Sequence, residues 1–341
     1  MIISRTPFRI SFFGGGTDYP AWFRENGGSV LSTTINKYCH IFCRYLPPFF
    51  IHKHRIVWSR VETVSKIDEI QHPSVRECLR LIDIHDGLEI HHDGDLPARA
   101  GLGSSSAFTV GMLHALHTLL GQTVDHRQLA TEAIHVEQNL IRENVGCQDQ
   151  VAVAFGGLNR IDFQTNGTFN LSPVILSAER LETLQDHLLL FFTGISRTAS
   201  DVAAEKIKAF AGKGSELRAM HQMVDEAITL LGGTGPITGF GRLLDASWQL
   251  KRGLTHQVST SHIDSIYDRA LQSGAIGGKL LGAGGGGFML LFAEPDRHPA
   301  LKQALGELLS VPFRFETRGS HILFNENPQR AGHEKIIPGA Q

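Results

Sequence analysis

The chain has 341 residues and is 42% hydrophobic, enough to bury a sizeable core in one large domain or, as expected here, two ordinary ones. Lys plus Arg (32) nearly balance Asp plus Glu (34), so net charge makes no case for nucleic acid or an anionic membrane, and any anion site must be local. Arg5 and Arg9 interrupt any signal-peptide core and no apolar run approaches a membrane span, so a soluble cytoplasmic protein is expected, with no obligate protein partner inferred.

Residues 2 to 13 are strand-like and break at Gly14, Gly15 and Gly16, ahead of Thr17 and Asp18. Two further strands, "GSVLSTTI" and "KYCHIFCRYL", make a β-rich opening, with Cys39, Ile41 and Cys43 on one face. The pattern turns helical from His72 to Ile84, "GLEIHHDGDLP" resumes a strand and a turn, and two helices are predicted at about 105 to 120 and 126 to 142. "VAVAFGGLNRIDF" and "HLLLFFTGI" are strand-like, whereas "TASDVAAEKIKAFAG" and "GSELRAMHQMVDEAITLLGG" return to helical periodicity. The last third holds a helix near 262 to 273, the glycine-rich "GGKLLGAGGGGFMLLFA", a helix near 298 to 309 and a closing strand near 312 to 316. Helices mixed with strands outside a βαβ rhythm predict a layered α+β protein, cut near residue 180 into domains 1–180 and 181–341. Cys39, Cys43, Cys78 and Cys147 form no CxxC pair and read as reduced core residues. The histidine pairs His52/His54 and His91/His92 lack the spacings of a metal site.

Chemistry concentrates first in "PARAGLGSSSAFTVGMLHALHTLLG", residues 97 to 121. Phe108, Met112, Ala115, Leu116 and Leu119 form the apolar stripe of a helix that starts at the serines. Its first N–H groups point into the glycine loop, and a helix N-terminus carries roughly half a positive charge, which suits a phosphate. Ser104, Ser105 and Ser106 can cap the helix, bond an anion or ligate a cation; an ordinary N-cap after a glycine turn accounts for the same letters. The pattern GxxxxGK[ST] is absent, and Ser106 stands where GxGxxG needs its third glycine, so a dinucleotide fold is not expected.

In the next helix Glu137 lies on the inward stripe of Ala130, Ala133, Ile134, Leu140 and Ile141. A buried carboxylate needs a partner, either a salt bridge to Arg142 or Arg127 or a hard cation such as Mg²⁺ shared with Ser104. "ENVGCQDQVAVAFGG" then puts Asp149 between two glutamines, at the start of a predicted strand, where it is either a turn residue or, close to a phosphate loop, a base.

Four segments in order, "PFRISFFGGGTDY", "PARAGLGSSSA", "GCQDQ" and "KLLGAGGGGF", together resemble the GHMP kinases across residues 7 to 288. The resemblance implies an α+β fold of two domains, the first like ribosomal protein S5 domain 2 and the second ferredoxin-like, with ATP between them. It implies that Gly101, Leu102, Gly103, Ser104, Ser105 and Ser106 hold the ATP phosphates, that Ser104 and Glu137 ligate Mg²⁺, and that Asp149 and Arg9 are catalytic. It further places Asp18, Gly14, Gly15, Gly16, Gly284 and Gly285 at the substrate, Asp18 gripping sugar hydroxyls. Where galactokinases have Gly-Glu-His, this chain has Gly14, Gly15 and Gly16, which leaves room for a longer sugar. The first segment, with "HPSVRECL" and "FTGISRTASDV", is similar to the branch that phosphorylates the anomeric hydroxyl of a heptose 7-phosphate for nucleotide-activated heptose synthesis. A terminal phosphate would need a cation, and Arg197 with Ser196 and Thr198 offers one, although an arginine there serves equally as a surface ion pair. The alternatives are a kinase of an unphosphorylated hexose such as L-fucose or galactose, and a non-catalytic sugar sensor on the same fold.

Overall fold

A computed structural model of the chain describes residues 1–98, 100–194, 203, 205, 207, 208 and 210–326. Strand β1 (Ile2–Phe13) pairs antiparallel with β2 (Gly28–Tyr45), from Ile2 opposite Cys43 to Phe13 opposite Leu31, with helix α1 (Pro20–Asn26) in the connection. Sequence reading split residues 28 to 46 into two strands, but they form one of 18 residues. The register shifts between Pro7 and Phe8, where Pro7 has no N–H for the ladder and a bulge on β2 takes up the mismatch.

The other edge of β2 has three partners in succession. β6 (Asn159–Phe163) takes its first residues, β12 (Phe315–Glu316) pairs at Thr34 and Ile35, and β5 (Leu88–Gly94) takes its last. The hairpin of β3 (His54–Val57) and β4 (Val61–Val64) extends the sheet beyond β5, β7 (Phe169–Pro173) extends it beyond β6, and β13 (His321–Asn325) covers the outer edge of β1.

Helix α3 (Ser104–Leu119) lies on β1 and β2 and is flanked by α2 (Pro73–Ile82), α4 (His126–His135) and α5 (Gln148–Phe155). Surrounded in this way, it buries not one stripe but nearly its whole surface, including Phe108, Val110, Met112, Leu113 and Leu116. Each of these large apolar side chains contributes about 2 kcal/mol on burial. Gly111 lets the helix approach the sheet, since a Cβ there would stand 2.9 Å from Thr6 Oγ1, and Ser4 Oγ donates to the Gly111 carbonyl at 2.7 Å.

One expectation in this lobe is refined and another fails. The helix predicted to reach residue 142 is regular only to His135 and widens into a π-helical turn over Val136–Leu140. "QDQVAVAF" is helix α5 rather than strand; a short apolar run buried throughout carries no periodicity that separates the two, and Gly156, at φ 73°, ends it before β6 begins.

The second lobe follows α6 (Ala178–Asp186). Strands β8 (Leu188–Phe192), β9 (Ala275–Leu280), β10 (Phe288–Ala293) and β11 (Leu309–Ser310) form an antiparallel sheet in the order β11-β8-β10-β9. Helices α7 (Gly214–Gly232), α8 (Thr238–Arg252) and α9 (Ser261–Gln272) lie between its first two strands in sequence, and α10 (His298–Ala304) between its last two. That order, with crossovers in those places, is the ferredoxin-like arrangement expected. A cut at residue 180 falls inside α6, and the closing strand predicted near 312 to 316 returns to the first sheet as β12, followed there by β13, which was not predicted. One core spans both lobes, with Phe240 meeting Phe12 and Phe13 edge-on at ring separations of 5.4 and 5.1 Å, and the second lobe has a further cluster of its own around Trp248, Tyr267 and Met289.

Candidate active site

A cleft opens where the start of α3, the end of β1 and the loop between β9 and β10 converge. Gly101 and Gly103 adopt left-handed φ angles of 87° and 74°, which only glycine takes without strain. The first intrahelical bond runs from Ala107 N–H to the Gly103 carbonyl at 2.8 Å, so the N–H groups ahead of it lie at an open, positively polarised helix end. Ser104, Ser105 and Ser106 line the cleft, as do Gly101 and Gly103. Leu102 does not: its side chain is in the core, and its contribution is a carbonyl that accepts from Arg9 N–H at 3.0 Å.

Arg9, 3% exposed, forms a two-pronged pair with Asp149, Nε to Oδ1 at 2.8 Å and Nη2 to Oδ2 at 2.6 Å. Its remaining arm, Nη1, donates to the Gly101 carbonyl at 2.6 Å, so one guanidinium ties the candidate base to the glycine loop. Asp149 sits in the first turn of α5, facing the cleft. The structure thus brings together the two residues that the resemblance marks as catalytic, with Asp149 on a helix rather than at the start of a strand.

Glu137 is 1% exposed at the start of the π-helical turn. Its Oε2 accepts from Ser106 Oγ at 3.0 Å and from Gln150 Nε2 at 2.5 Å, while Oε1 is buried without a hydrogen bond of normal geometry among the described residues, the Thr109 hydroxyl being a neighbour of the carboxylate. No basic side chain pairs with it among the described residues; Arg127 instead donates to the Phe169 carbonyl. Burial pushes the carboxyl up to about 8, partly opposed by the hydrogen bonds it accepts. A buried carboxylate with no cationic partner among the described residues, in a cleft that Ser104 also lines, fits a hard divalent cation.

At the opposite end Asp18 is 1% exposed, with Oδ1 accepting from Gly16 N–H at 2.8 Å and Oδ2 from Gln148 N–H at 3.4 Å. Gly15 and Gly16 line the cleft beside it. Gly14 is not among the residues lining the cleft: a Cβ there would stand 1.9 Å from the Ser29 carbonyl oxygen, so close backbone packing requires the glycine. In the glycine loop after β9, Gly282 and Ala283 face the cleft, whereas Gly284 and Gly285 pack on Val258. Arg197, with Ser196 and Thr198, lies outside the described residues.

Two buried lysines were missed. Lys251, in the last turn of α8, donates to the carbonyls of Leu280 and Gly282, both at 2.7 Å, and Lys279 on β9 donates to the Phe12 carbonyl at 2.6 Å; both line the cleft. In sequence Lys251 looks like the basic residue that commonly ends a helix. Lys279 did carry a signal, a lone charge within the apolar "GGKLLG". Ser11, Gln148 and Gln150 also line the cleft and were given no role.

Two family models match the chain, the GHMP kinases N terminal domain over residues 71–157 and the GHMP kinases C terminal domain over residues 226–310. The chain is 29% identical over 320 residues to the D-glycero-alpha-D-manno-heptose 7-phosphate kinase of Campylobacter jejuni, covering 89% of this chain and 93% of that protein. It is 26% identical over 354 residues to the L-fucokinase/L-fucose-1-P guanylyltransferase of Bacteroides fragilis, covering 90% of this chain but 36% of that longer protein. In fold it matches the crystal structure of a D-glycero-D-manno-heptose 1-phosphate kinase from Bacteroides thetaiotaomicron, with a TM-score of 0.76, 23% identity, and coverage of 95% of this chain and 99% of that one. With both halves of the family present, in order, around a glycine loop at a helix N-terminus, the chain belongs to the GHMP kinase family and is an ATP-dependent phosphotransferase.

Proposed function

We propose that the protein transfers the γ-phosphoryl group of ATP, with Mg²⁺, to the anomeric hydroxyl of D-glycero-D-manno-heptose 7-phosphate, giving the 1,7-bisphosphate. The observation that carries this reading is the convergence on one cleft of a helix N-terminus, the Arg9–Asp149 pair and buried Asp18. The likeness to the Campylobacter enzyme directs the choice of acceptor. Phosphoryl transfer demands mainly positioning and charge neutralisation. The loop from Gly101 to Ser106 supplies backbone donors to the ATP phosphates, and Asp149 orients the attacking hydroxyl and takes its proton. The two bonds from Arg9 occupy one lone-pair direction on each Asp149 oxygen and leave the other for that hydroxyl. Ser104 and Glu137 would hold the magnesium ion, which when bound offsets phosphate charge. Asp18 accepts from hydroxyls of the sugar ring, and bare Gly15 leaves space beside it.

The test is a coupled kinase assay with D-glycero-D-manno-heptose 7-phosphate, the free heptose, L-fucose and D-galactose. Far higher kcat/KM for the phosphorylated heptose supports the reading. Equal kcat/KM for phosphorylated and free heptose overturns the acceptor assignment and leaves the phosphotransferase standing, and preference for L-fucose would move the chain beside its fucokinase relative.

A further inference from the structure

The acceptor end of the cleft has an imbalance of hydrogen-bonding types. Asp18 and Asp149 face it as carboxylates, which accept and do not donate. A sugar hydroxyl bound there satisfies its proton on a carboxylate, but its oxygen keeps lone pairs that need a donor once water is excluded. One side chain between the two aspartates has donors to spare. Ser11 Oγ donates to Gln148 Oε1 at 2.6 Å, which fixes the carboxamide with its Nε2 toward Gly15. A Cβ built on Gly15 would lie 3.5 Å from Nε2 and 3.7 Å from Ser11 Oγ, so the amide lies beside the bare Gly15 in the wall of the cleft. Nε2 has no protein acceptor among the described residues, whereas the Gln148 main-chain N–H is directed to Asp18 Oδ2 at 3.4 Å. Gln148 also precedes Asp149 in the first turn of α5, so a helix end fixes the spacing of donor and base.

From this arrangement we infer that Gln148 is an acceptor-binding residue, its carboxamide N–H groups holding a hydroxyl adjacent to the one Asp149 engages, with Ser11 as the positioning residue that sets the amide's orientation. The inference rests on the reading of Asp149 as the group that meets the attacking hydroxyl. It is independent of which sugar that hydroxyl belongs to. A site built to donate to a substrate oxygen discriminates against acceptors that lack it, so the Ser11–Gln148–Gly15 group contributes to specificity as well as affinity.

Steady-state kinetics of Gln148→Leu, Gln148→Glu and Ser11→Ala test this, using whichever of the four sugars wild-type enzyme turns over best. Gln148→Leu should raise the acceptor KM by about 10-fold or more and leave the KM for ATP unchanged, the size expected when a substrate oxygen loses its donor. Gln148→Glu keeps the shape of the side chain and removes its donors, so it should show the same split even if the leucine variant folds poorly. Ser11→Ala should give a smaller rise, and none when added to Gln148→Leu, because an amide that is absent needs no orienting. An unchanged acceptor KM in Gln148→Glu overturns the inference, as does a rise shared equally by ATP. Asp149→Asn made in parallel separates the two readings: if it keeps wild-type turnover, the assignment of Asp149 fails first.

Discussion

Glu137 is where burial and charge conflict most directly. With its carboxyl pushed up to about 8 by burial, the metal-free group is biased toward its neutral form, which glutamine resembles in shape and charge. Glu137→Gln should therefore melt within about 2 °C of wild type in the absence of magnesium, since near-isosteric neutral replacements perturb little. Its magnesium requirement at saturating ATP should rise at least about 10-fold, because a hard anionic ligand is lost. A magnesium titration with thermal melts on the same samples checks both halves, and a large fall in melting temperature alone would make Glu137 structural. Asp149→Asn should lower kcat by at least about 100-fold with ATP affinity preserved, the usual size of an acid–base contribution. Isothermal titration with ATP beside single-turnover kinetics distinguishes that outcome from loss of binding. At this scale the sequence was informative where a residue type is rare in its setting: an inward glutamate, or an aspartate beside a phosphate loop. It was silent on Lys251 and Gln148, whose importance comes from what the fold brings opposite them.

Among the elements, α3 was legible because its caps and length are local features, whereas α5 was not, because five apolar letters fit either a strand or a buried helix turn. The π-helical turn after α4 has no sequence signal of its own, yet it sets Glu137 against Ser106 and Gln150. Helices α3 and α4 are joined by His117, whose Nε2 lies 2.7 Å from Glu132 Oε2, with Gln122 on the other ring nitrogen. The hydrogen bond to Glu132 raises the histidine above its ordinary value, against desolvation. Hydrogen bonding to His117 lowers Glu132, again against desolvation. The raised histidine stabilises the fold fully below its unfolded pKa, about 6.5, and that stabilisation is lost as pH rises through the folded value. The depressed glutamate stabilises it above its unfolded value, about 4.3, and that part is lost as pH falls through the folded one. Glu132→Gln should thus cost most in the window between those two unfolded values, by about 1–2 kcal/mol, the worth of a charge-assisted hydrogen bond. Urea unfolding from pH 4 to 9 would show the gap between variant and wild type narrowing on the alkaline side; a gap independent of pH would mean that the pair acts by packing alone.

For the whole molecule the decisive contact is between the two glycine loops. A Cβ on Gly282 would stand 2.4 Å from Gly101 Cα, and one on Gly101 would stand 2.5 Å from the Leu281 carbonyl oxygen, so the lobes meet backbone to backbone at the phosphate end of the cleft. Lys251 holds this loop by the carbonyls on either side of Leu281. Gly282→Ala, at a φ of 73°, has to displace the phosphate loop, and kcat/KM for ATP should fall by about 100-fold, as misplacement of about 1 Å does elsewhere. Retention of wild-type kcat/KM would show that the loops can separate without consequence. The four motifs announced two lobes around a nucleotide, but not that the last strands return to the first sheet, because two- and five-residue strands carry too little pattern to declare a partner. That return governs the order of events at the ribosome. β1 and its edge partner are far apart in sequence, Ile2 pairing with Asn325, so the outer edge of β1 stays open until His321–Asn325 has been synthesised. A chain truncated after residue 311, which keeps both lobes, should accordingly aggregate, and supplying residues 312–326 as a peptide should recover soluble material; β1 depends on β13, or on a chaperone in its place, to keep it from finding another partner.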